Sequence, residues 1–377
     1  MRILQGSCNE FGRNRHPDWP LDALYFAMSW NPFVMAGRHH RAMGIYTGHT
    51  ALEFWKRYLR INGNRKNGND GFPPYARWDR LPRTTTRVSD ALMESEAFRE
   101  TIPVEVMAFD RSHRYDCESV RTTRHDVRFP AKSFCKVGHG VFVVSPQLLF
   151  LEFATKLDVV PLAFLGSELA GSYTRVTGLF DAQDSESAGD LKPCSPLLDR
   201  ETLRGYLNLQ DGYHGIKRAR IASAYILENA YSPMEVCTGL LLSLPRRYGG
   251  FGLPMPVLNH EVRIDPEKGR GYDCASIRFD MLWPDSMVAL EYDSDLAHSS
   301  LKKLHHDSMR RNVAMAHGYD VVTITAQEYF DIHGLIRVAR NLSRMIGHRS
   351  RPFDHQAQAK MRRLHRILES VRSTGFL

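Results

Sequence analysis

Ser276-Ile-Arg-Phe-Asp280-Met-Leu-Trp283-Pro-Asp285-Ser-Met-Val288-Ala-Leu-Glu291-Tyr-Asp293 decides how the C-terminal part of this chain folds. Side chains on a strand alternate between its two faces. Ile277, Phe279, Met281 and Trp283 therefore share one face, with Arg278 and Asp280 on the other. Pro284-Asp285-Ser286 supplies turn chemistry. Val288, Leu290 and Tyr292 then repeat the apolar face, leaving Ala289, Glu291 and Asp293 opposite. Paired as a hairpin, the two runs place Asp280, Glu291 and Asp293 on one side of the sheet. Like charges gathered there raise one another's pKa and cost several kcal/mol unless a metal or a base compensates. Mg²⁺, held by one or two carboxylates together with substrate phosphate, is a common compensation, and Mn²⁺ is its usual substitute. Asp280 and Glu291 are the expected metal ligands.

Outward from this stretch, Ser232-Pro-Met-Glu235 has the spacing of a capping box at a helix start. Glu235 is thus a helix cap and also a fourth candidate acid. The segment from Ser232 onward reads helix, strand, strand, helix, strand, helix. A helix over Leu301 to His317 ends at Gly318, and Tyr319 to Thr325 reads as a buried strand. After Asp293 come His298, Lys302, Lys303, Arg310 and Arg311. His298 is suited to position or deprotonate an attacking water, and the four cations to hold a phosphate. Ordinary surface ion pairs within the helix, such as Lys303 with Asp307, are the structural alternative. From Asp331 to the end, ten Lys and Arg face three Asp and Glu, while Met361, Leu364, Leu368 and Val371 form an apolar stripe at helical spacing. The tail therefore reads either as a footprint for a phosphate backbone or as a helix docked on the core.

The whole chain of 377 residues carries a net charge of +8, with 43% hydrophobic and 24% charged residues. That is an ordinary globular composition with a basic excess that favours polyanionic partners. Six cysteines, none close to another in sequence, fit neither a zinc site nor a disulfide framework and suit a reducing cytoplasm. No apolar run reaches the length needed to cross a bilayer, so a cytoplasmic protein with no membrane partner is expected.

The first half is mixed in pattern. Thr50 to Leu59 reads as a helix, Pro103 to Phe109 and Gly140 to Val144 as strands, and Ser145-Pro146 as the opening of a helix. Asn62 to Gly71 and Asp181 to Asp190 are polar and glycine-rich or serine-rich, as in surface loops or linkers. The expected organisation is an α+β N-terminal region over 1–180, a linker and helical connection over 181–231, and a third segment over 232–377.

Asp280, Glu291-Tyr-Asp293, His298, Asp307-x-x-Arg310-Arg-Asn312 and Gly318-Tyr-x-Val-Val-x-Ile-Thr325 together resemble the restriction-endonuclease-like (PD-(D/E)xK) superfamily, in the branch akin to very-short-patch-repair endonucleases. The resemblance covers about residues 232 to 330. It implies an α/β fold whose C-terminal domain is a mixed sheet flanked by helices, with Mg²⁺-dependent phosphodiester cleavage and DNA as the substrate. It also implies catalytic roles for Asp280, Glu291, Asp293, His298 and Glu235. Asp293 stands where the superfamily usually carries lysine, so His298, Lys302 or Lys303 would have to supply that function, or the site binds without cutting. Gly140-Val-Phe-Val-Val-Ser145-Pro146 through Leu151-Glu-Phe-Ala154 resembles a segment of proteins in which an AbiEi-type antitoxin-like region precedes such a domain. A non-catalytic DNA-binding regulator of the antitoxin kind is the alternative this leaves open.

Overall fold

The hairpin expected at 276–293 forms the centre of a four-stranded sheet in the computed structural model. The structure describes residues 44–62, 72–77, 103–109, 118, 120–125, 128–137, 141–175, 191–265, 267, 275–293, 301–349 and 354–374. These fall into two compact units, the first drawn from 1–50, 67–127 and 134–143, the second from 51–66, 128–133 and 144–377.

The first unit is built on a five-stranded mixed sheet. Its strands are β1 (Gly44–Tyr46), β2 (Val104–Ala108), β3 (Val120–Arg124), β4 (Phe134–Lys136) and β5 (Val141–Val144), in the spatial order β3-β2-β1-β5-β4. All five positions of β2 are buried, which explains why its apolar run was readable, whereas β3 alternates Arg and Thr and β4 is only three residues long. α1 (Gly48–Asn62) begins against β2. There the buried Glu105 accepts the His49 N–H at 2.7 Å, and its own N–H donates to Thr50 Oγ1 at 2.8 Å.

The second unit has a helical half and a sheet half. Ser145 caps α2 (Pro146–Phe153), accepting from the Leu148 N–H, and Pro146 occupies the first turn, where its missing N–H costs nothing. α2 is buried along its whole length, and α3 (Val159–Leu169) nearly so. The short hairpin β6 (Tyr173–Arg175) and β7 (Leu191–Pro193) follows, then α4 (Arg200–Asn208) and α5 (Ile216–Ser223). α3 packs on both α5 and α6 (Pro233–Ser243), so the helical connection and the C-terminal elements share one core.

The sheet half consists of β8 (Val257–Arg263), β9 (Ser276–Trp283), β10 (Val288–Asp293) and β11 (Asp320–Thr325), side by side in the order β11-β10-β9-β8. β8, β9 and β10 are antiparallel neighbours, and β10 pairs in parallel with β11 through the crossover helix α7 (Leu301–Ala316). The protein is therefore mixed α/β, with mixed sheets flanked by helices. Two readings need correction. β8 was not recognised, because Asn259, His260 and Glu261 interrupt any apolar alternation on this edge strand. β11 is mostly half-buried rather than buried, since it forms the opposite edge. Gly318, at φ +83°, ends α7 in the left-handed conformation that glycine adopts without steric cost.

α8 (Ala326–Phe330), α9 (Ile332–Met345) and α10 (His355–Thr374) complete the chain. Thr325 and Glu328 form a reciprocal capping box on α8. α10 docks on α3 and α6 and buries Met361, Leu364 and Leu368 completely or nearly so, so the apolar stripe of the tail belongs to the core. Among the described residues, no helix is long and apolar enough to cross a membrane.

Candidate functional site

Asp280 and Glu291 come together for a simple reason of register. The β9–β10 ladder pairs Trp283 with Val288, Leu282 with Ala289 and Met281 with Leu290. Asp280 and Glu291 are the next residues on the two strands, one step beyond the last pair of that ladder. The β8–β9 ladder is regular on either side of Asp280 as well, pairing Met281 with Leu258 and Phe279 with His260. Between those pairs Asn259 takes a left-handed conformation, φ +50°, and faces Asp280 across an unpaired step. Asp280 thus sits at an interruption in both of its ladders. Its Oδ2 replaces a main-chain acceptor, taking the Tyr292 N–H at 2.8 Å. Among the described residues, Oδ1 accepts no hydrogen bond.

Glu235 approaches from the first turn of α6. Ser232 caps that helix, as its sequence indicates, with Oγ accepting the Glu235 N–H at 3.2 Å. The reciprocal bond differs from that of an ordinary capping box. Glu235 Oε2 accepts the N–H of Tyr231, one residue before the cap, at 2.8 Å, and Oε1 accepts Ser232 Oγ–H at 2.9 Å. Asn259 Nδ2 donates to the same Oε2 at 2.6 Å and to the Asn229 carbonyl at 2.9 Å. Asn229 is itself left-handed, φ +60°. Two asparagines in a conformation that costs most side chains 1–2 kcal/mol are thus tied to each other and to Glu235.

Electrostatics distinguish these acids. Burial raises the pKa of Glu235. The Tyr231 N–H opposes that shift, and the nearby Asp280 charge reinforces it. Burial likewise raises Asp280, against the Tyr292 N–H and the positive charge of Arg310. Arg310 reaches down from α7, whose Val313 and Ala314, one turn on, pack in one core cluster with Ile277, Phe279, Leu282 and Ala289, so the expected placing of Ile277 and Phe279 on the face opposite Leu282 and Ala289 does not hold. Its Nη2 meets Glu291 Oε1 at 2.8 Å and also donates to the Arg278 carbonyl. Arg310 thus makes an ion pair to the sheet. Arg311 Nη2 lies 3.4 Å from Oγ1 of Thr323, the β11 partner of Glu291.

Asp293 ends β10, next to the Thr325 cap of α8. His298 lies outside the described residues. Lys302 and Lys303 fall in the first turn of α7. Asn259, Asn229 and the pairing of Arg310 with Glu291 were not foreseen from the sequence, because each depends on a distant partner. The only local signal was Asn259 interrupting an otherwise extended segment.

The donors are hard oxygens, the kind that suits Mg²⁺ or Mn²⁺. Asp280 has an oxygen to spare and Glu291 is its cross-strand neighbour, so these two fit a cation. Both oxygens of Glu235 are already engaged by donors, which suits a positioning role better than direct ligation. Among the described residues, no group of three or more His, Cys, Asp or Glu is gathered closely enough to hold a metal unaided. Water and substrate oxygens would have to complete the coordination.

No family model, curated protein or solved structure matches this chain.

Proposed function

We propose that the protein is a metal-dependent DNA endonuclease that hydrolyses phosphodiester bonds at the Asp280–Glu291 site. The observation that carries this reading is Asp280 itself, a half-buried carboxylate at a break in both ladders, with one oxygen that accepts no hydrogen bond among the described residues and Glu291 one step beyond the β9–β10 pairing. Buried acids whose pKa values are raised mark candidate sites of chemistry. Asp280 and Glu291 would hold Mg²⁺ or Mn²⁺, which supplies charge neutralisation at the phosphate and acidifies water. Glu235, fixed by Ser232, Tyr231 and Asn259, sets the charge beside Asp280. Arg310, exchanging Glu291 for a phosphate oxygen, would orient the scissile group, with Arg311, Lys302 and Lys303 along the same helix. His298 is the proposed proton acceptor, and Asp293 would support it. The first unit would select the target. The free, buried thiols of Cys135, Cys194 and Cys237 suit a reducing cytoplasm.

Two points favour the second reading, a DNA-binding regulator without catalysis. Glu291 is already neutralised internally by Arg310, and Asp293 replaces the expected lysine. The deciding experiment incubates purified protein with supercoiled and linear DNA in Mg²⁺, Mn²⁺ or EDTA. Cleavage should need the metal and fall about 10³-fold or more in Asp280→Asn and Glu291→Gln, with the melting transition retained. DNA binding with no metal-dependent cleavage by the wild type selects the regulator.

A further inference from the structure

Beside the carboxylates stands an exposed cation–aromatic pair. Arg278 precedes Asp280 by two residues on β9 and so shares its face. Its guanidinium lies over the ring of Tyr231, 5.1 Å from the centroid. Both side chains are exposed, Tyr231 to 41%. Arg278 faces Glu261 across the β8–β9 ladder, yet it forms no ion pair among the described residues. Glu261 instead accepts the Ser276 hydroxyl. The Tyr231 hydroxyl likewise has no hydrogen-bond partner among the described residues.

The loop beneath Tyr231 is held firmly. The Asn229 N–H donates to the Ala170 carbonyl at 3.0 Å, the Ala230 carbonyl accepts the Ser172 N–H at 2.8 Å, and the Tyr231 N–H is bonded to Glu235. The ring is therefore a fixed platform on the residue whose backbone braces one of the candidate acids. A single exposed tyrosine needs no explanation. A fixed one stacked on an arginine that forms no ion pair among the described residues, at the rim of an acidic site, has the two parts that recognise a nucleotide. These are an aromatic face for a base and N–H donors for a phosphate.

We propose that Tyr231 and Arg278 form a clamp for single-stranded DNA, the ring stacking an unpaired base while the guanidinium holds the adjoining phosphate. This rests on the reading of the site as one that acts on DNA, and it names the substrate class as strands with unpaired bases, at single-stranded regions, ends or branches. A base inside a duplex has both faces covered by its neighbours, so a ring platform selects bases that are out of the stack.

The test is fluorescence anisotropy of the full chain with a mixed-sequence single-stranded oligonucleotide and with the matching duplex, both in EDTA so that cleavage cannot enter. Wild type should prefer the single strand. Tyr231→Ala should weaken single-strand binding about tenfold and leave the duplex nearly unchanged. Tyr231→Leu, which keeps apolar bulk without a stacking face, should match it, and Tyr231→Phe should bind as the wild type does. Arg278→Gln should weaken binding to both forms and reduce the slope of log affinity against log salt by about one contact. Equal affinity of wild type for the two forms, undiminished single-strand binding by Tyr231→Ala, or equal losses on both forms would overturn the clamp. Absence of metal-dependent cleavage together with the expected binding pattern would overturn the catalytic reading alone.

Discussion

The second unit contains two groups of inward-facing acids, and they are compensated differently. Where α3, β6 and α10 meet, each carboxylate has its own partners. Glu369 accepts Tyr329 O–H at 2.9 Å and Arg372 Nη2 at 2.6 Å, and Glu168 accepts Tyr173 O–H at 2.9 Å and Arg175 Nη2 at 2.5 Å. Arg175 also donates to the Arg372 carbonyl, which joins the two sets. Around β9 and β10, by contrast, Glu235 is held by neutral donors, the charge of Arg310 acts on Asp280, and among the described residues the ion pair of Arg310 is with Glu291. Both Glu235 and Asp280 there have raised pKa values. The first arrangement balances its charge and ties helix to hairpin. The second leaves two of its acids with raised pKa values, which stability alone would not favour, and this is the physical basis for the proposal that the site binds a ligand.

If charge balance is the difference, neutralising an acid should have opposite effects in the two places. The largest change is expected for Glu369→Ala, which strands Arg372 and the Tyr329 hydroxyl. Urea denaturation should show a loss of about 2–3 kcal/mol, and a neutral result would erase the contrast. Arg310→Met should come next, destabilising by about 1–3 kcal/mol because Glu291 is left half-buried without its donor.

Asp280→Asn and Glu235→Gln should instead stabilise the apo protein at neutral pH, by about 1 kcal/mol. Asn keeps an oxygen for the Tyr292 N–H. Gln keeps one for Tyr231 and Asn259 and can donate to Ser232 Oγ. The same two acids fix a pH dependence. Their folded pKa values lie above the ordinary carboxylate range, so between the unfolded and folded values the folded chain holds more protons than the unfolded one. Their contribution to stability is therefore most favourable in acid and is lost as pH rises through that window. The double variant should flatten this part of a stability–pH curve, and an unaltered slope would show that the acids are already compensated.

The smallest effect on stability is expected for Asn259→Gly, within about 0.5 kcal/mol. Glycine removes the cost of the left-handed backbone but adds entropy to the unfolded chain. If Glu235 matters for cleavage through its position, activity should still fall severalfold, because the amide that holds Oε2 is gone.

Particular residues show where sequence reading ends. The pattern in 276–293 was enough to predict a hairpin of β9 and β10, and Ser232, Ser145 and Gly318 announced helix ends through local geometry. β8 escaped because its edge position leaves no apolar period. The apolar stripe of the tail pointed to docking, and Met361, Leu364 and Leu368 do pack on α3 and α6, which leaves Arg362, Arg363 and Arg366 on the exposed side.

By itself the sequence determined properties set by neighbours along the chain: strand alternation, helix caps, the left-handed glycine after α7, and an excess of positive charge. Tertiary structure alone decided which groups meet. It brought Arg310 to Glu291, 19 residues away, Asn259 to Glu235, and Arg278 to the ring of Tyr231. The physical reason is range. Alternation and capping act through backbone geometry within a few residues, whereas the burial, charge and pairing that shape this site come from surfaces joined only when the strands and helices pack.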